Sequence, residues 1–191
     1  MDIYRPSAFV TQPNLLYCVP GASEIIINHV AGRPVVGPEL MSGMYAYGQS
    51  LAVYPNEGPG VDPVGWIGIL DRWGAPGYAW HAYPTLAEAL HHAAARIRAT
   101  GKPAGLTVGM HREHAWVITG FAATRDPALG PFTVTAVAVT GPLWPMQRYY
   151  LGYFDMPPDT WITPARLAPA VRPFKADVPT QWDGLYVTVE P

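Results

Sequence analysis

The chain has 191 residues, of which 49% are apolar and only 14% charged, and its formal net charge is −2. This apolar content excludes wholesale disorder. The near-neutral balance gives no electrostatic signature of nucleic-acid binding or of attachment to an anionic membrane. A single cysteine excludes an intramolecular disulfide framework and a zinc site built on thiolates.

The length predicts a single domain over residues 1–191. The 22 prolines and 19 glycines predict many loops and no dominance of long helices. No run of 18 apolar residues occurs, so no membrane span is expected. The N-terminus lacks a basic stretch followed by an apolar one, which predicts no signal peptide and a cytoplasmic location by default. A piece cut from an exported protein would have the same features.

The first half of the chain carries helix signals. Residues 1–17 predict an extended arm or loop. A helix is predicted just after Cys18, because Pro20 suits a first helical turn and apolar residues follow at helical spacing. Gly32, with a proline two residues later, ends that helix. A loop with one short helix is predicted over 34–63.

Two further helices are predicted from their N-cap residues. Asp62, followed by a proline, predicts a helix over about 63–73. Thr85 with Glu88 three residues later forms a capping box, which predicts a helix over about 86–99. A short strand is predicted between these two helices.

The second half of the chain has the pattern of strands. Apolar and β-branched runs alternate with turn residues. These runs cover residues 104–109, 114–121, 132–140 and 185–189. Helices followed by an antiparallel sheet indicate the α+β class.

The single thiol is the main chemical feature. Cys18 stands at the predicted start of a helix, where unpaired N–H groups and the helix dipole favour a thiolate. A nucleophilic cysteine also needs a base, and His114, which opens an apolar strand, is the best placed of the six histidines. Gln12, six residues before Cys18, could stabilise an oxyanion together with the Cys18 N–H. A buried core cysteine and a structural histidine are the competing interpretations.

This arrangement resembles the papain-like cysteine peptidases, and more narrowly the bacteriocin-processing-type peptidase domain of bacterial proteins. The matching segments are Tyr-Cys-Val-Pro-Gly-Ala at 17–22, His-Ala-Trp-Val-Ile-Thr-Gly-Phe at 114–121, Val-Ala-Val-Thr-Gly-Pro-Leu-Trp-Pro at 137–145, and Asp-Pro-Val-Gly-Trp at 62–66. The resemblance covers about residues 8–145 and leaves 146–191 as a C-terminal extension, while allowing the strand at 182–189 to belong to the same family pattern.

The resemblance implies a papain-like fold, with N-terminal helices packed on an antiparallel sheet. It further implies that Cys18 is the nucleophile, His114 the general base and Gln12 the oxyanion donor. The expected reaction is hydrolysis of a peptide or amide bond in a peptide or protein substrate, and no cofactor is implied.

The chain departs from this family at the third catalytic position. Relatives place an aspartate at the end of the strand that follows the histidine strand, and here Gly141 stands there. Glycine has no side chain to orient an imidazole. Asp126 has suitable chemistry but is expected in a turn at the opposite end of the hairpin from His114. The sequence therefore also allows a catalytically weak or inactive peptidase-like domain that binds peptide segments, or an interaction domain that shares only the fold.

Other candidate sites are weaker. The tryptophans Trp66, Trp116 and Trp144, with Trp73, are candidates to line a binding groove. His111 and His114 are three residues apart, but they lead into a strand without an evident third ligand, so no metal site is expected. No phosphate-binding loop or dinucleotide fingerprint occurs.

Overall fold

The computed structural model describes residues 1–54, 59–109, 113–146 and 155–191. Within these ranges the chain has the predicted α+β class, with five α-helices and one six-stranded antiparallel sheet. The helices are α1 (Cys18–Ala31), α2 (Met41–Ser50), α3 (Pro63–Trp73), α4 (Leu86–Thr100) and α5 (Pro164–Leu167). The strands are β1 (Ala79–Tyr83), β2 (Ala104–Gly109), β3 (Glu113–Ala123), β4 (Val134–Thr140), β5 (Thr160–Ile162) and β6 (Tyr186–Glu190). None of the helices in the described part of the chain is long and apolar enough to cross a membrane.

The helix ends predicted from the sequence are confirmed by their hydrogen bonds. Gly32 ends α1 with a φ of 72°, a left-handed conformation that glycine adopts without steric cost. The Asp62 carboxylate accepts from the Gly65 N–H at 2.6 Å at the start of α3. Thr85 and Glu88 form the reciprocal capping box of α4. Each of these signals is local, which is why the sequence alone locates them.

The sheet separates the two larger of three apolar clusters. Its strands follow the order β1-β6-β2-β3-β4-β5, with every neighbouring pair antiparallel. Alternate residues of β3 point to opposite faces. Ala115 and Val117 belong to the core formed with α1, α2 and α3, whereas Trp116 and Ile118 belong to the core on the side of α4.

The C-terminal segment contributes to the interior of the sheet. Strand β6, in the segment that the family resemblance leaves as an extension, pairs with both β1 and β2. Trp182, just before it, is fully buried. Strand β5 and helix α5, which the sequence does not predict, are only three and four residues long. The N-terminal arm also joins the sheet, because the Ile3 N–H donates to the Thr119 carbonyl at 2.9 Å.

Glu24 is a buried carboxyl group in α1. Its exposure is 0%, and neither of its carboxylate oxygens has a hydrogen-bond partner among the described residues. Burial, reinforced by the charge of Glu39, raises the pKa of Glu24 to about 8. The native state therefore holds a proton that the unfolded chain releases above about pH 4.5, so stability falls as the pH rises from there to about 8.

We expect Glu24→Gln to stabilise the protein at pH 8 and to have little effect below pH 4.5. The stability gain should grow across this window by at most about 1.4 kcal/mol per pH unit, the free energy of a one-unit pKa shift. Urea unfolding at several pH values measures it, with the exposed Asp177→Asn as the control. A difference from wild type that stays constant between pH 5 and pH 8 would contradict the assignment.

Candidate active site

Cys18 is the first residue of α1 and is buried. Helix α1 packs against β3, the strand that carries His114 near its start. The turn opens with a hydrogen bond from the Gly21 N–H to the Tyr17 carbonyl at 2.8 Å. The structure therefore places the thiol at a helix N-terminus, as the sequence predicts, and on the helix that faces the histidine strand.

His114 and Trp116 share one partner, the carboxylate of Asp155. The two residues are two apart on β3, and both side chains reach the same carboxylate. His114 Nε2 lies 3.0 Å from Asp155 Oδ1, and Trp116 Nε1 donates to the same oxygen at 2.6 Å. A third donor, the Leu143 backbone N–H, reaches Asp155 Oδ2 at 2.5 Å. The carboxylate is thus buried but fully engaged, as a buried charge must be.

The charges of Asp155 and Cys18 set the protonation of His114. Burial by itself lowers the pKa of His114, but the charge and hydrogen bond of Asp155, together with the hydrogen bond and charge of Cys18, raise it to about 10. The sulfur is therefore close enough to the imidazole to interact with it. Because Nε2 faces Asp155, Nδ1 is the ring nitrogen available to the thiol. The raised pKa of His114 favours the protonated imidazole at neutral pH.

Gly141 leaves open the space that the Asp155 carboxyl group occupies. A Cβ added at Gly141 would overlap the Asp155 carboxyl group. The backbone at Gly141 is outside the left-handed region, so the glycine is required by space and not by conformation. The expectation that His114 lacks a carboxylate is therefore wrong. The sequence pattern does not reveal Asp155, although it is the first acidic residue after Gly141.

Gln12 lies buried beside the same segment. Its backbone N–H donates to the Pro142 carbonyl at 2.7 Å, and its side-chain Nε2 donates to the Asn14 carbonyl at 2.6 Å. The neighbouring Thr11 hydroxyl donates to the Trp144 carbonyl at 2.8 Å. A primary amide has two N–H donors, and the Asn14 carbonyl uses one of them. Residues 141–144 thus support both the loop that leads to Cys18 and the carboxylate that holds His114.

Three of the four tryptophans proposed for a groove occupy different environments. Trp66 is only 1% exposed and lies in the core with α1, so the structure places it away from any surface groove. Trp116 is also buried, and its indole N–H holds Asp155. Trp144 is half-buried in the segment beside Gln12. Trp116 is thus a positioning residue, and Trp144 is the one of the three with an accessible surface.

The other ionisable candidates lie elsewhere. His29 is buried in α1, where its Nε2 accepts from the Arg5 N–H at 3.0 Å. Asp126 caps a turn and pairs with Arg98 at 2.8 Å, as its predicted turn position implies. His111 falls outside the described residues. Within the described ranges no group of three or more His, Cys, Asp or Glu residues is arranged to hold a metal ion.

Comparison of the chain with protein-family models, with curated proteins and with solved structures gives no match. The assignment of a function therefore depends on the geometry of Cys18, His114 and Asp155.

We expect Gly141→Ala to destabilise the protein by about 1–3 kcal/mol, the usual effect of an added methyl group in a filled space. The new Cβ would displace the Asp155 carboxylate, so the variant should also slow alkylation of Cys18. Urea unfolding and the rate of iodoacetamide labelling measure the two effects. Gly43→Ala is the matched control, because the added Cβ meets open space on a helix. Wild-type stability in Gly141→Ala would show that the carboxylate does not need this space.

Proposed function

We propose that this chain is a papain-like cysteine peptidase or amide hydrolase in which Cys18, His114 and Asp155 act together. The observation that carries the proposal is the Asp155 carboxylate on His114 Nε2, with Cys18 interacting with the same ring. A nucleophile, a base and a group that orients the base are the parts that covalent acyl transfer requires. The order of elements, with a cysteine at the start of a helix packed on a histidine strand, supports the papain-like fold.

In the first half of the proposed reaction, the Cys18 thiolate attacks the substrate carbonyl carbon. A C–S bond forms and the carbonyl π electrons move to oxygen. The Cys18 N–H and the second amide N–H of Gln12 stabilise this oxyanion. When the carbonyl re-forms, the C–N bond breaks, and His114 gives its proton to the leaving amine. The product of this step is a thioester on Cys18.

In the second half, water hydrolyses the thioester. His114 is now neutral and accepts a proton from the water as it attacks the thioester carbonyl. Collapse of the second oxyanion breaks the C–S bond, releases the acid and restores the thiolate beside the imidazolium. Throughout both halves, Asp155 fixes the orientation of the ring and stabilises its positive charge.

An inactive module that binds peptide segments is the alternative function. The glycine at the third position favours this alternative only if His114 has no carboxylate partner, and Asp155 is such a partner. Turnover of a peptide library that disappears in Cys18→Ala would support the hydrolase over the binding module. Peptide binding without turnover in the wild-type protein would support the module.

We expect His114→Gln to slow iodoacetamide alkylation of Cys18 at pH 7 by about 100-fold or more, the lower range for loss of a positioned acid–base group. Asp155→Asn should also slow it, because the ring loses the charge that keeps it protonated. Intact-mass spectrometry over time gives the rates. His81→Gln, on the exposed edge of β1, is the control and should match wild type. Alkylation of His114→Gln at the wild-type rate would refute the proposed pair.

The proton on His114 should persist well above neutral pH in the wild-type protein. Asp155→Asn removes the main charge that raises the pKa of His114, so its titration should move to lower pH. The contribution of the pair to stability should be complete below about pH 6.5, the unperturbed histidine value, and should be lost as the pH rises towards 10. Imidazole NMR against pH measures the shift, and equal titration in both proteins would contradict the ion pair.

A further inference from the structure

The N-terminal arm crosses α1 between two fixed points. At one end the Ile3 N–H donates to a carbonyl of β3 at 2.9 Å, and at the other the Gln12 N–H donates to the Pro142 carbonyl at 2.7 Å. The residues between these points, 4–10, are called the strap here. They include a 3-10 turn, Pro6–Ala8, that contacts α1. Both end bonds join backbone atoms, so neither of them responds to pH.

The strap covers apolar surface. Ala8 and Val10 are buried, and Phe9 is half-buried. Val10 belongs to the core that includes the apolar residues of α1, and Phe9 packs against that core. A strap that left α1 would therefore uncover apolar side chains to water, so whatever holds it in place controls the exposure of this surface.

His29 ties the middle of the strap to the last turn of α1. The ring is 6% exposed. The Arg5 backbone N–H donates to His29 Nε2 at 3.0 Å, and His29 Nδ1 lies 2.9 Å from the Ile25 carbonyl oxygen. A backbone N–H can only donate and a carbonyl can only accept, so Nδ1 carries the proton and Nε2 is bare. Only the neutral imidazole can make both hydrogen bonds.

A second proton on His29 would break the bond to the strap. It would sit on Nε2, where it would face the Arg5 N–H, so that two donors would meet without an acceptor. Burial lowers the pKa of His29 and the charge of Arg5 lowers it further, while the hydrogen bond to Ile25 acts in the opposite direction. Protonation therefore occurs more readily when the strap has left the ring.

The other titratable groups near α1 leave this contact to His29 and Arg5. Helix α1 itself carries Cys18 and Glu24. The helices and the strand packed on it carry the titratable or charged side chains Tyr45, Tyr47, Asp71, Arg72 and His114. Among the described residues, the charge that acts on His29 is that of Arg5. The Tyr4 ring, in the strap, lies 6.0 Å from the imidazole.

We propose that His29 is a pH-sensitive latch, which holds the strap on α1 while its ring is neutral and releases residues 4–10 when Nε2 is protonated. Release uncovers the apolar surface under Ala8, Phe9 and Val10, while the two end bonds keep the arm attached. The latch uses none of Cys18, His114 and Asp155, so it is independent of the proposed hydrolase function.

The test is amide hydrogen exchange resolved by NMR between pH 7.5 and pH 5, corrected for the intrinsic exchange rate at each pH. The imidazole signals of His29 are followed in the same samples. Wild type is compared with His29→Gln, which has no titrating group at this position. His81→Gln, on the exposed edge of β1, is the matched control.

We expect the protection of the Arg5 amide in wild type and in His81→Gln to be constant above about pH 6.5, the unperturbed histidine value, and to fall below it. The fall should reach at most about tenfold per pH unit, because one proton is taken up. The amides of Ile3 and Gln12 should keep their protection, and His29→Gln should show no dependence on pH.

Three results would overturn the latch. They are Arg5 protection in wild type that does not change down to pH 5, an equal fall in His29→Gln, and an equal loss of protection at Ile3 and Gln12, which would indicate global unfolding. If His29→Gln does not fold, the wild-type protein decides. The loss of Arg5 protection must then follow the titration of the His29 ring, and a loss at a different pH rejects the proposal.

Discussion

The buried carboxylate of Asp155 is the interaction on which the candidate site depends. A charge in the interior is costly unless it is paired and hydrogen-bonded. Asp155 meets this condition with three donors, from His114, Trp116 and the Leu143 backbone. His114 and Trp116 lie on β3, and Leu143 lies in the segment after β4. The carboxylate therefore fixes β3 and that segment relative to each other. The orientation of the imidazole follows from this network.

The segment 141–144 connects the carboxylate to the loop before Cys18. Gly141 leaves the space that Asp155 fills, and the Leu143 N–H binds the carboxylate. On the other side, the Pro142 carbonyl accepts from the Gln12 N–H in the loop before Cys18. One short stretch of backbone thus positions the carboxylate partner of His114 and the thiol loop together. Preorganisation of this kind lets a site hold its reacting groups in place with little rearrangement.

The apolar character of the surroundings strengthens the same network. The sheet places Trp116 and Leu143 next to the carboxylate, and both are buried. Electrostatic interactions are stronger where water is excluded, because the local dielectric constant is lower.

The sequence by itself determined the helices, most of the strands and the positions of Cys18 and His114 on them. Caps such as Asp62 and the Thr85 box act within one turn, so they can be predicted locally. Only the tertiary structure decided that β6 lies between β1 and β2, and that Asp155 reaches His114 across 41 residues. Neither the position of β6 nor the contact between Asp155 and His114 is set by residues adjacent in the sequence. Each follows from which distant segments can fill the same space and satisfy the same buried donors, and residue spacing does not encode that.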